Sequence, residues 1–490
     1  MVDSAEEQKV IGMVPTGLLI GGEWGPAENG ATFAVEDPST GKVLAEVADA
    51  SPADGLRALD AAAKAQPALA AVPPRERSEI LRRGYELLLE RQEELALLMT
   101  LEMGKPLAEA RGEVAYAAEF FRWFSEEAVR IDGGYAVAPN GQGRLLVMRQ
   151  PVGPSLLITP WNFPMAMGTR KIGPAVAAGC TMVVKPAEQT PLSMLALAGI
   201  MQEAGLADGV LNLVTTSDPG AVMEPMIRDG RARKLSFTGS TGVGRLLLEQ
   251  CADQVMRTSM ELGGNAPFLV FGDADLDAAV DGALLAKMRN IGEACTAANR
   301  IYVHASVAEE FARRLADRMG ALPVGRGVEE DVVVGPLIDA HAVAKVSSLV
   351  EDAVRHGARV VVGGEPLERD GYFYPATVLT GVPRDARMRH EEIFGPVAPI
   401  STFETEEEAV TAANDTEYGL VAYVFTRDLD RALRVSERLE AGMVGLNQGI
   451  VSNPAAPFGG VKHSGVGREG GHIGIEEFLE TKYVAAAASA

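Results

Sequence analysis

The chain has 490 residues, too many for a single hydrophobic core, so we expect two or three domains. Its 47% hydrophobic and 23% charged residues are typical of an ordinary globular protein. The formal net charge of −22 argues against nucleic acids and anionic membrane surfaces as partners, because both would be repelled. An anionic ligand would also be repelled at long range, so a site for one should carry local arginine or lysine.

Three features favour a reduced, cytoplasmic compartment. The acidic N-terminus is followed by no apolar core of signal-peptide type. The longest apolar stretch, residues 174–184, is far shorter than the roughly 18–20 residues of a membrane span. Three cysteines in so long a chain do not form a disulfide framework, and no CxxC pair indicates zinc, so we expect no metal site.

The first 130 residues predict strands followed by helices. LLIGGEW combines an apolar start with a glycine turn, and FAVEDPSTGKVLAEV predicts two strands around a Pro-Ser-Thr-Gly turn. Residues 52–70 and 75–130 then carry apolar positions at helical spacing. Residues 132–152 alternate apolar and polar side chains around Asn-Gly-Gln-Gly, which predicts a β-hairpin. A hairpin is marginal alone, so we expect it to pack on another element or another subunit.

Strands alternate with helices in two further series, residues 153–260 and 267–450. This order predicts βαβ units and parallel sheets. We therefore expect an α/β fold with two doubly wound domains and a cleft between them. In such sheets ligands bind outside the carboxyl ends of strands, which is where several polar loops of this sequence lie.

Two of these loops carry polar side chains directly after a strand. Asn162, in TPWNFP, is an amide donor held between aromatic residues and prolines, although a simple turn asparagine would look the same. Lys185 and Glu188, in VVKPAEQTP, suit the hydroxyls of a ribose. The alternative for this pair is a solvated turn before a helix.

Two more loops suit a cofactor or a base, and a third carries no such signal by itself. FTGSTGVG places Gly239 and Ser240 between a strand and a helix, where small residues let the backbone approach a pyrophosphate, although the glycines do not follow GxGxxG. MELGG places Glu261 at a strand end, where a carboxyl group with a raised pKa can act as a general base or pair with a cation. EEIFGPV, with Glu392 and Phe394, is by itself only a loop between elements.

Cys295, in RNIGEACTAANR, is the candidate nucleophile. We expect its polar loop to open a helix, whose N–H groups and dipole would favour a thiolate. Such activation matters because a free thiol of pKa near 8.5 is only about 3% ionised at pH 7. Cys180 and Cys251 lie in an apolar predicted strand and in a predicted helix, so we expect both to be buried structural cysteines.

The six loops, in this order, resemble those of the aldehyde dehydrogenase superfamily. The resemblance runs from about residue 19 to residue 484 and includes LEMGKP at 101–106 and PFGGVKHSGVGREGG at 457–471. It implies a homodimer or homotetramer and a chain divided into three parts. These are a Rossmann-like cofactor domain of residues 1–131 and 153–262, a catalytic domain of 263–450, and a β-strand oligomerisation element of 132–152 and 472–490.

The resemblance also implies a role for each loop. Cys295 looks like the nucleophile, Asn162 and the Cys295 backbone N–H look like the oxyanion hole, and Glu261 looks like the base that activates water. The implied reaction oxidises an aldehyde to an acid through a thiohemiacetal and a thioester, with NAD or NADP as cofactor. The implied cofactor contacts are Trp161, Lys185, Glu188, Gly239, Ser240, Leu262, Glu392 and Phe394.

Within the superfamily, the segments around Asn162 and near the C-terminus are most similar to succinate-semialdehyde dehydrogenases. That subfamily places arginines at the positions of Arg170 and Arg289, and a serine at that of Ser452, around the substrate's distant carboxylate. A charge-assisted contact of this kind is worth about 1.5–3 kcal/mol. Succinate semialdehyde is therefore the expected substrate. Glutarate semialdehyde or a broader aldehyde range is the alternative, since a methylene is worth only about 1–3 kcal/mol.

Two positions bear on charge near the site. Glu293 stands where the subfamily commonly has glutamine, which predicts an extra negative charge beside the thiolate. Glu188 stands where some NADP-using relatives carry a small residue, and a carboxylate accepts from a ribose 2′-OH but repels a 2′-phosphate, so we expect NAD rather than NADP.

Retention of Cys295, Asn162 and Glu261 argues against a non-catalytic structural member, and Glu261 argues against a reductase of activated acyl groups.

Overall fold

The computed structural model describes residues 4–487. Residues 1–3 of the predicted cofactor domain and 488–490 of the predicted oligomerisation element lie outside this range. The chain starts with α1 (Ser4–Gly12), β1 (Leu18–Ile20), β2 (Glu23–Gly25), β3 (Thr32–Asp37) and β4 (Lys42–Ala48). Four helices follow, α2 (Pro52–Ala71), α3 (Pro74–Glu90), α4 (Gln92–Met103) and α5 (Leu107–Glu127).

The helical segment predicted at 75–130 is interrupted between α4 and α5. Gly104 ends α4 in a left-handed conformation with φ of 93°, and Pro106 precedes the first residue of α5. A glycine at this position and a proline just after it are what a helix stop requires. The interruption brings Lys105, from the LEMGKP motif, into the interior of the protein.

The predicted hairpin and the first βαβ series are confirmed. The hairpin consists of β5 (Gly134–Val137) and β6 (Gly143–Pro151), paired antiparallel. The series comprises β7 (Ser155–Ile158), α6 (Ala166–Ala178), β8 (Met182–Lys185), α7 (Pro191–Glu203), β9 (Leu211–Leu213), α8 (Pro219–Arg228), β10 (Lys234–Thr238), α9 (Thr241–Ala252) and β11 (Arg257–Glu261).

The second series has more strands than the sequence predicted. It comprises β12 (Ala266–Val270), α10 (Leu276–Met288), β13 (Ala298–His304), α11 (Ala308–Gly320), α12 (Ala340–Arg355), β14 (Arg359–Val362), β15 (Thr377–Thr380), β16 (Val397–Phe403), α13 (Glu406–Asn414), β17 (Val421–Phe425), α14 (Leu429–Arg438) and β18 (Met443–Leu446). Two short strands end the described chain, β19 (Gly465–Val466) and β20 (Leu479–Ala487). The sequence missed β15, which is short, and β16, where Pro399 argues against a central strand.

The first large sheet has the order β19-β11-β10-β7-β8-β9-β1-β2. The strands from β11 to β9 are parallel, as predicted, but β19, β1 and β2 are antiparallel additions at the edges. The strand order reverses between β7 and β10, and a ligand crevice is expected outside the carboxyl ends of strands at such a point. The loops that carry Asn162 and Gly239 leave these two strands there.

The second large sheet has the order β14-β15-β16-β13-β12-β17-β18. It is parallel except at the β14 edge, where the prediction of a parallel sheet is wrong. Its strands are enclosed by buried apolar side chains on both faces, as a parallel sheet requires. Cys295 lies just before its central strand β13.

A third, smaller sheet has the order β20-β6-β5. β20 pairs with β6 along its whole length, from Leu479 opposite Pro151 to Ala487 opposite Gly143. Its apolar side chains remain largely exposed in the single chain, including Tyr135 at 68% and Tyr483 at 57%. Between residues 4 and 487, no helix is long and apolar enough to cross a membrane.

Candidate active site

A cleft with about 910 Å³ of empty space lies at the reversal point of the first sheet and reaches the loop before β13. All the site residues predicted from the sequence line it, except Lys185 and Glu188. The sequence did not predict several further lining residues, namely Tyr116, Phe163, Met167, Thr296, Lys345 and Phe458. Phe163 and Phe458 stand within quoted motifs, whereas Tyr116 comes from the middle of α5, where no local pattern marks it.

Cys295 does not open a helix, and that prediction is wrong. It lies between the 3-10 turn Arg289–Gly292 and strand β13, and within that turn Asn290 and Ile291 adopt left-handed conformations with φ of 54° and 61°. Burial raises the pKa of the half-buried Cys295 thiol to about 12, although nearby Arg170 and Arg289 act to lower it. The resting thiol is therefore protonated, and its proton must leave when it attacks.

Asn162 is held firmly beside the Cys295 loop. Its Nδ2 donates to the carbonyl oxygen of Glu293 at 2.9 Å, and its Oδ1 accepts the N–H of Phe163 at 3.1 Å. The backbone carbonyl of Asn162 accepts from Lys105 Nζ at 2.8 Å and from Asn290 Nδ2 at 3.0 Å. Because an amide nitrogen carries two N–H groups, one remains for an oxygen atom in the cleft.

Lys105, from the LEMGKP motif, helps to hold the loop of Asn162 in place. Its ammonium group forms a fully buried ion pair with Glu113 on α5. Glu113 Oε1 also accepts the backbone N–H groups of Met165 and Ala166, at 3.0 Å and 3.1 Å, where α6 begins. A carboxylate at a helix N-terminus is stabilised by those donors and by the helix dipole. The Lys105–Glu113 ion pair thus holds this loop at two points, at the carbonyl of Asn162 and at the start of α6.

Glu261 ends strand β11 and is buried. Neither of its carboxyl oxygens has a hydrogen-bond partner among residues 4–487, and burial together with the neighbouring Glu469 raises its pKa well above the ordinary value. Glu469 is buried as well, and its Oε1 accepts from Lys171 Nζ at 2.5 Å. Lys171 also donates to Ser236 Oγ at 2.9 Å. A carboxyl group with a raised pKa and free oxygens, lining the same cleft as Cys295, has the properties of a general base.

The cofactor loops lie at the carboxyl ends of β8 and β10. Past β8, Lys185 Nζ contacts Glu188 Oε2 at 3.2 Å, with Lys185 buried and 41% of the Glu188 side chain exposed. Past β10, Gly239 needs to be a glycine because a Cβ there would lie 2.5 Å from the ring of Phe237. Ser240 caps α9 by accepting the N–H of Val243 at 3.4 Å. A bare glycine backbone before a helix N-terminus, with a carboxylate two strands away past β8, fits a dinucleotide.

Glu392 and Phe394, which lie in the loop before β16, also line the cleft as predicted. Glu392 Oε1 accepts the N–H of Gly264 at 3.1 Å, and burial raises the pKa of Glu392 to about 7. Phe394 meets Trp161 edge to face, with ring centroids 5.3 Å apart. Leu262 lies at the base of the cleft, close enough to α9 that a Cβ on Gly244 would lie 2.4 Å from it. These contacts join the two large sheets around one site.

The two predicted substrate arginines differ in their surroundings. Arg289 donates from Nη1 to Ser452 Oγ at 2.9 Å, and its guanidinium lies 4.9 Å from the centroid of Phe163. Arg170 is 2% exposed and donates from Nη2 to the hydroxyl of Tyr116 at 2.7 Å. The Tyr116 ring lies 5.8 Å from the Arg289 guanidinium and so stands between the two cations.

Glu293 does not line the cleft; its side chain is fully buried, and its Oε1 accepts the N–H of Ile338 at 3.1 Å. Burial raises its pKa well above the ordinary value, which favours the neutral form and weakens the negative charge expected beside the thiol. Cys180 and Cys251 are buried as predicted, although Cys180 lies just before β8 rather than within it.

Comparison with known proteins agrees with this geometry. Residues 24–484 match the model of the aldehyde dehydrogenase family. The chain belongs to this family. This aldehyde dehydrogenase is 58% identical to the succinate-semialdehyde dehydrogenase of Paenarthrobacter nicotinovorans, over 90% of this chain and 98% of that protein. It is 53% identical to the glutarate-semialdehyde dehydrogenase of Pseudomonas putida, over 95% of this chain and 96% of that protein.

The fold of this aldehyde dehydrogenase is also that of solved structures. It superposes on the crystal structure of an Escherichia coli NADP dependent enzyme with a TM-score of 0.96 and 51% identity, over 97% of this chain and 99% of the other. The predicted family, fold and enzyme class are therefore confirmed.

Proposed function

We propose that this aldehyde dehydrogenase oxidises succinate semialdehyde to succinate with NAD, through a thioester on Cys295. The strongest support is that one cleft is lined by the thiol of Cys295, the amide of Asn162 and the buried carboxyl group of Glu261. The same cleft is lined by Arg289, whose guanidinium donates a hydrogen bond to Ser452. The two relatives described above are named for semialdehydes that carry a distant carboxylate. Arg289 and Ser452 supply the groups that such a carboxylate needs.

The residues suit a two-stage reaction. The sulfur of Cys295 adds to the aldehyde carbon while its proton passes to solvent water, and Asn162 Nδ2 with the Cys295 backbone N–H stabilises the oxyanion of the thiohemiacetal. When bound, the nicotinamide cofactor supplies the acceptor for the hydride. Glu261 then takes a proton from water, the resulting hydroxide attacks the thioester carbonyl, and the acid leaves as the thiol is restored.

Arg289→Ala tests the substrate. We expect the KM for succinate semialdehyde to rise about 10- to 150-fold, because a charge-assisted contact of about 1.5–3 kcal/mol is lost. The kcat/KM for butyraldehyde, which lacks the carboxylate, should stay near the wild-type value. Initial rates of cofactor reduction with both aldehydes measure the effect.

Arg313→Ala, which removes an exposed arginine of α11, is the matched control and should change neither value. Equal losses on both aldehydes in Arg289→Ala would contradict the assignment. Comparing wild-type kcat/KM for the succinate and glutarate compounds then decides between them, because both use the same carboxylate contact.

Glu188→Ser tests the cofactor. A carboxylate at the ribose favours a 2′-OH and repels a 2′-phosphate, so its removal should raise the kcat/KM ratio of NADP to NAD about tenfold or more. Binding of each cofactor to the apoenzyme, followed by quenching of tryptophan fluorescence, gives an independent readout. Glu188→Asp keeps the charge and should keep the preference for NAD. A wild-type enzyme that is faster with NADP would refute this assignment.

We also assign cofactor binding to residues 1–131 and 153–262, catalysis to 263–450, and assembly into a homodimer or homotetramer to the segments 132–152 and 472–490, which contain the sheet β20-β6-β5. The exposed aromatic and aliphatic side chains of that sheet support assembly, because patches of this kind are usually covered. The three free cysteines, two of them buried, suit a reduced, cytoplasmic compartment.

A further inference from the structure

We infer that Arg170 balances the charge of the buried carboxylate pair Glu261 and Glu469, and so acts on thioester hydrolysis whatever aldehyde is bound. This makes Arg170 a positioning residue for the base, beyond any contact it makes with the substrate. The inference rests on the proposed roles of Cys295 and Glu261.

The guanidinium of Arg170 is held by the protein on several sides. Nη2 donates to the Tyr116 hydroxyl at 2.7 Å, and Nη1 lies 3.6 Å from both the Met167 sulfur and Glu469 Oε2. The guanidinium carbon stacks 4.0 Å from the centroid of Phe458. A side chain that is 2% exposed and fixed by these contacts is not free to follow a substrate.

Two acidic groups, Glu261 and Glu469, meet in this place, and three cations among residues 4–487 face them. Glu261 comes from the end of β11, and Glu469 from the segment after β19. The charged groups that act on Glu261 are Glu469, which raises its pKa, and Arg170, Lys171 and Arg468, which lower it. The thiol of Cys295 faces the same group from the loop before β13.

The cations around the pair are not equivalent. Lys171 is committed to Glu469 Oε1 and Ser236. The Nη1 of Arg468 donates to the backbone carbonyls of Gly460 and Gly467. Arg170 is the cation near the second oxygen of Glu469, which has no hydrogen-bond partner in the range 4–487. Removing Arg170 therefore leaves two buried carboxyl groups facing each other with less compensation.

Loss of Arg170 should shift the pH dependence of thioester hydrolysis to higher pH. Glu261 activates water only when it is ionised, and an adjacent cation favours the ionised form. Loss of Arg170 raises the pKa of Glu261 further, so the rising limb of the pH–rate profile should move to higher pH by about one unit or more. Arg313 lies exposed on α11, where it pairs with Glu310, and its removal should leave that limb in place.

The test uses butyraldehyde, so that contacts to a substrate carboxylate do not contribute. For Arg170→Gln we expect kcat near pH 7 to fall about tenfold or more, with part of the loss regained near pH 9. The pre-steady-state burst of reduced cofactor should keep nearly its wild-type amplitude, because acylation of Cys295 does not need the base form of Glu261. The burst should rise more slowly, however, because Arg170 also lowers the pKa of the thiol. Arg313→Gln, at an exposed arginine of α11, is the matched control and should show the wild-type limb.

Two further variants keep the test decisive if Arg170→Gln folds poorly. Arg170→Lys keeps the charge and should keep the limb near its wild-type position. Arg170→Gln with Glu469→Gln removes one charge of each sign and should bring the limb back. A rising limb that stays unchanged in Arg170→Gln, or that moves equally in Arg313→Gln, overturns the inference. The proposed function fails separately, if the wild-type enzyme itself shows no acylation that depends on Cys295.

Discussion

Cys295→Ala is expected to abolish aldehyde oxidation, with a loss in kcat of about 10⁴-fold or more, as for the removal of other enzymatic nucleophiles. The cleft offers no substitute, because the other two cysteines, Cys180 and Cys251, are buried elsewhere. Steady-state rates with succinate semialdehyde measure the loss. Mass spectrometry of enzyme quenched during turnover should find an acyl group on Cys295 in the wild-type chain and none in the variant.

Cys251→Ala is the control for this experiment. It removes a buried thiol on α9, far along the chain from the loop before β13, and should leave kcat unchanged. Residual turnover of Cys295→Ala near the wild-type rate would show that the reaction does not pass through this sulfur. The oxyanion donors alone cannot provide such a rate, since they act on an adduct that no longer forms.

Glu261→Gln is expected to have the second largest effect. The kcat should fall by about 10²- to 10⁴-fold, because a glutamine at the end of β11 cannot accept a proton from water. Reduced cofactor should still appear in a fast burst that corresponds to one equivalent of active sites, followed by a slow steady rate. Stopped-flow absorbance of the reduced cofactor separates the two phases.

Glu293→Gln is the matched control, since it makes the same chemical change at another fully buried carboxyl group. Burial raises the pKa of Glu293 and so favours its neutral form, and Ile338 N–H donates to its Oε1, so an amide should serve as well and kcat should stay near wild type. If Glu261→Gln slowed the burst as much as the steady rate, Glu261 would act in the attack of the thiol rather than in hydrolysis.

The sequence predicted the parts of the site that lie at strand ends. Asn162, Gly239 and Glu261 follow apolar strands, and the order of those strands in the sheet brings their carboxyl ends together. Local pattern is sufficient there, because a parallel sheet aligns equivalent positions of successive units. The family resemblance then added Arg289 and Ser452, which no local pattern marks and which contact each other across a long stretch of sequence.

The sequence failed where tertiary contacts decide the structure. The loop of Cys295 looked like a helix start, but left-handed residues Asn290 and Ile291 turn the chain directly into β13. Glu293 looked like a charge beside the thiol, whereas the folded chain directs it to Ile338, where burial favours its neutral form. Tyr116 was missed because only the packing of α5 against α6 carries it into the cleft.

The contacts that anchor Asn162 also determine when the oxyanion site can form during folding. Its backbone carbonyl is bound by a lysine 57 residues away, and its amide by a carbonyl 131 residues away, one before and one after it in the chain. Such long-range contacts form late in folding, because each must first overcome the entropy of closing a long loop. A nascent chain on the ribosome therefore gains its oxyanion donor only once the Cys295 segment has emerged, so donor and thiol become competent together.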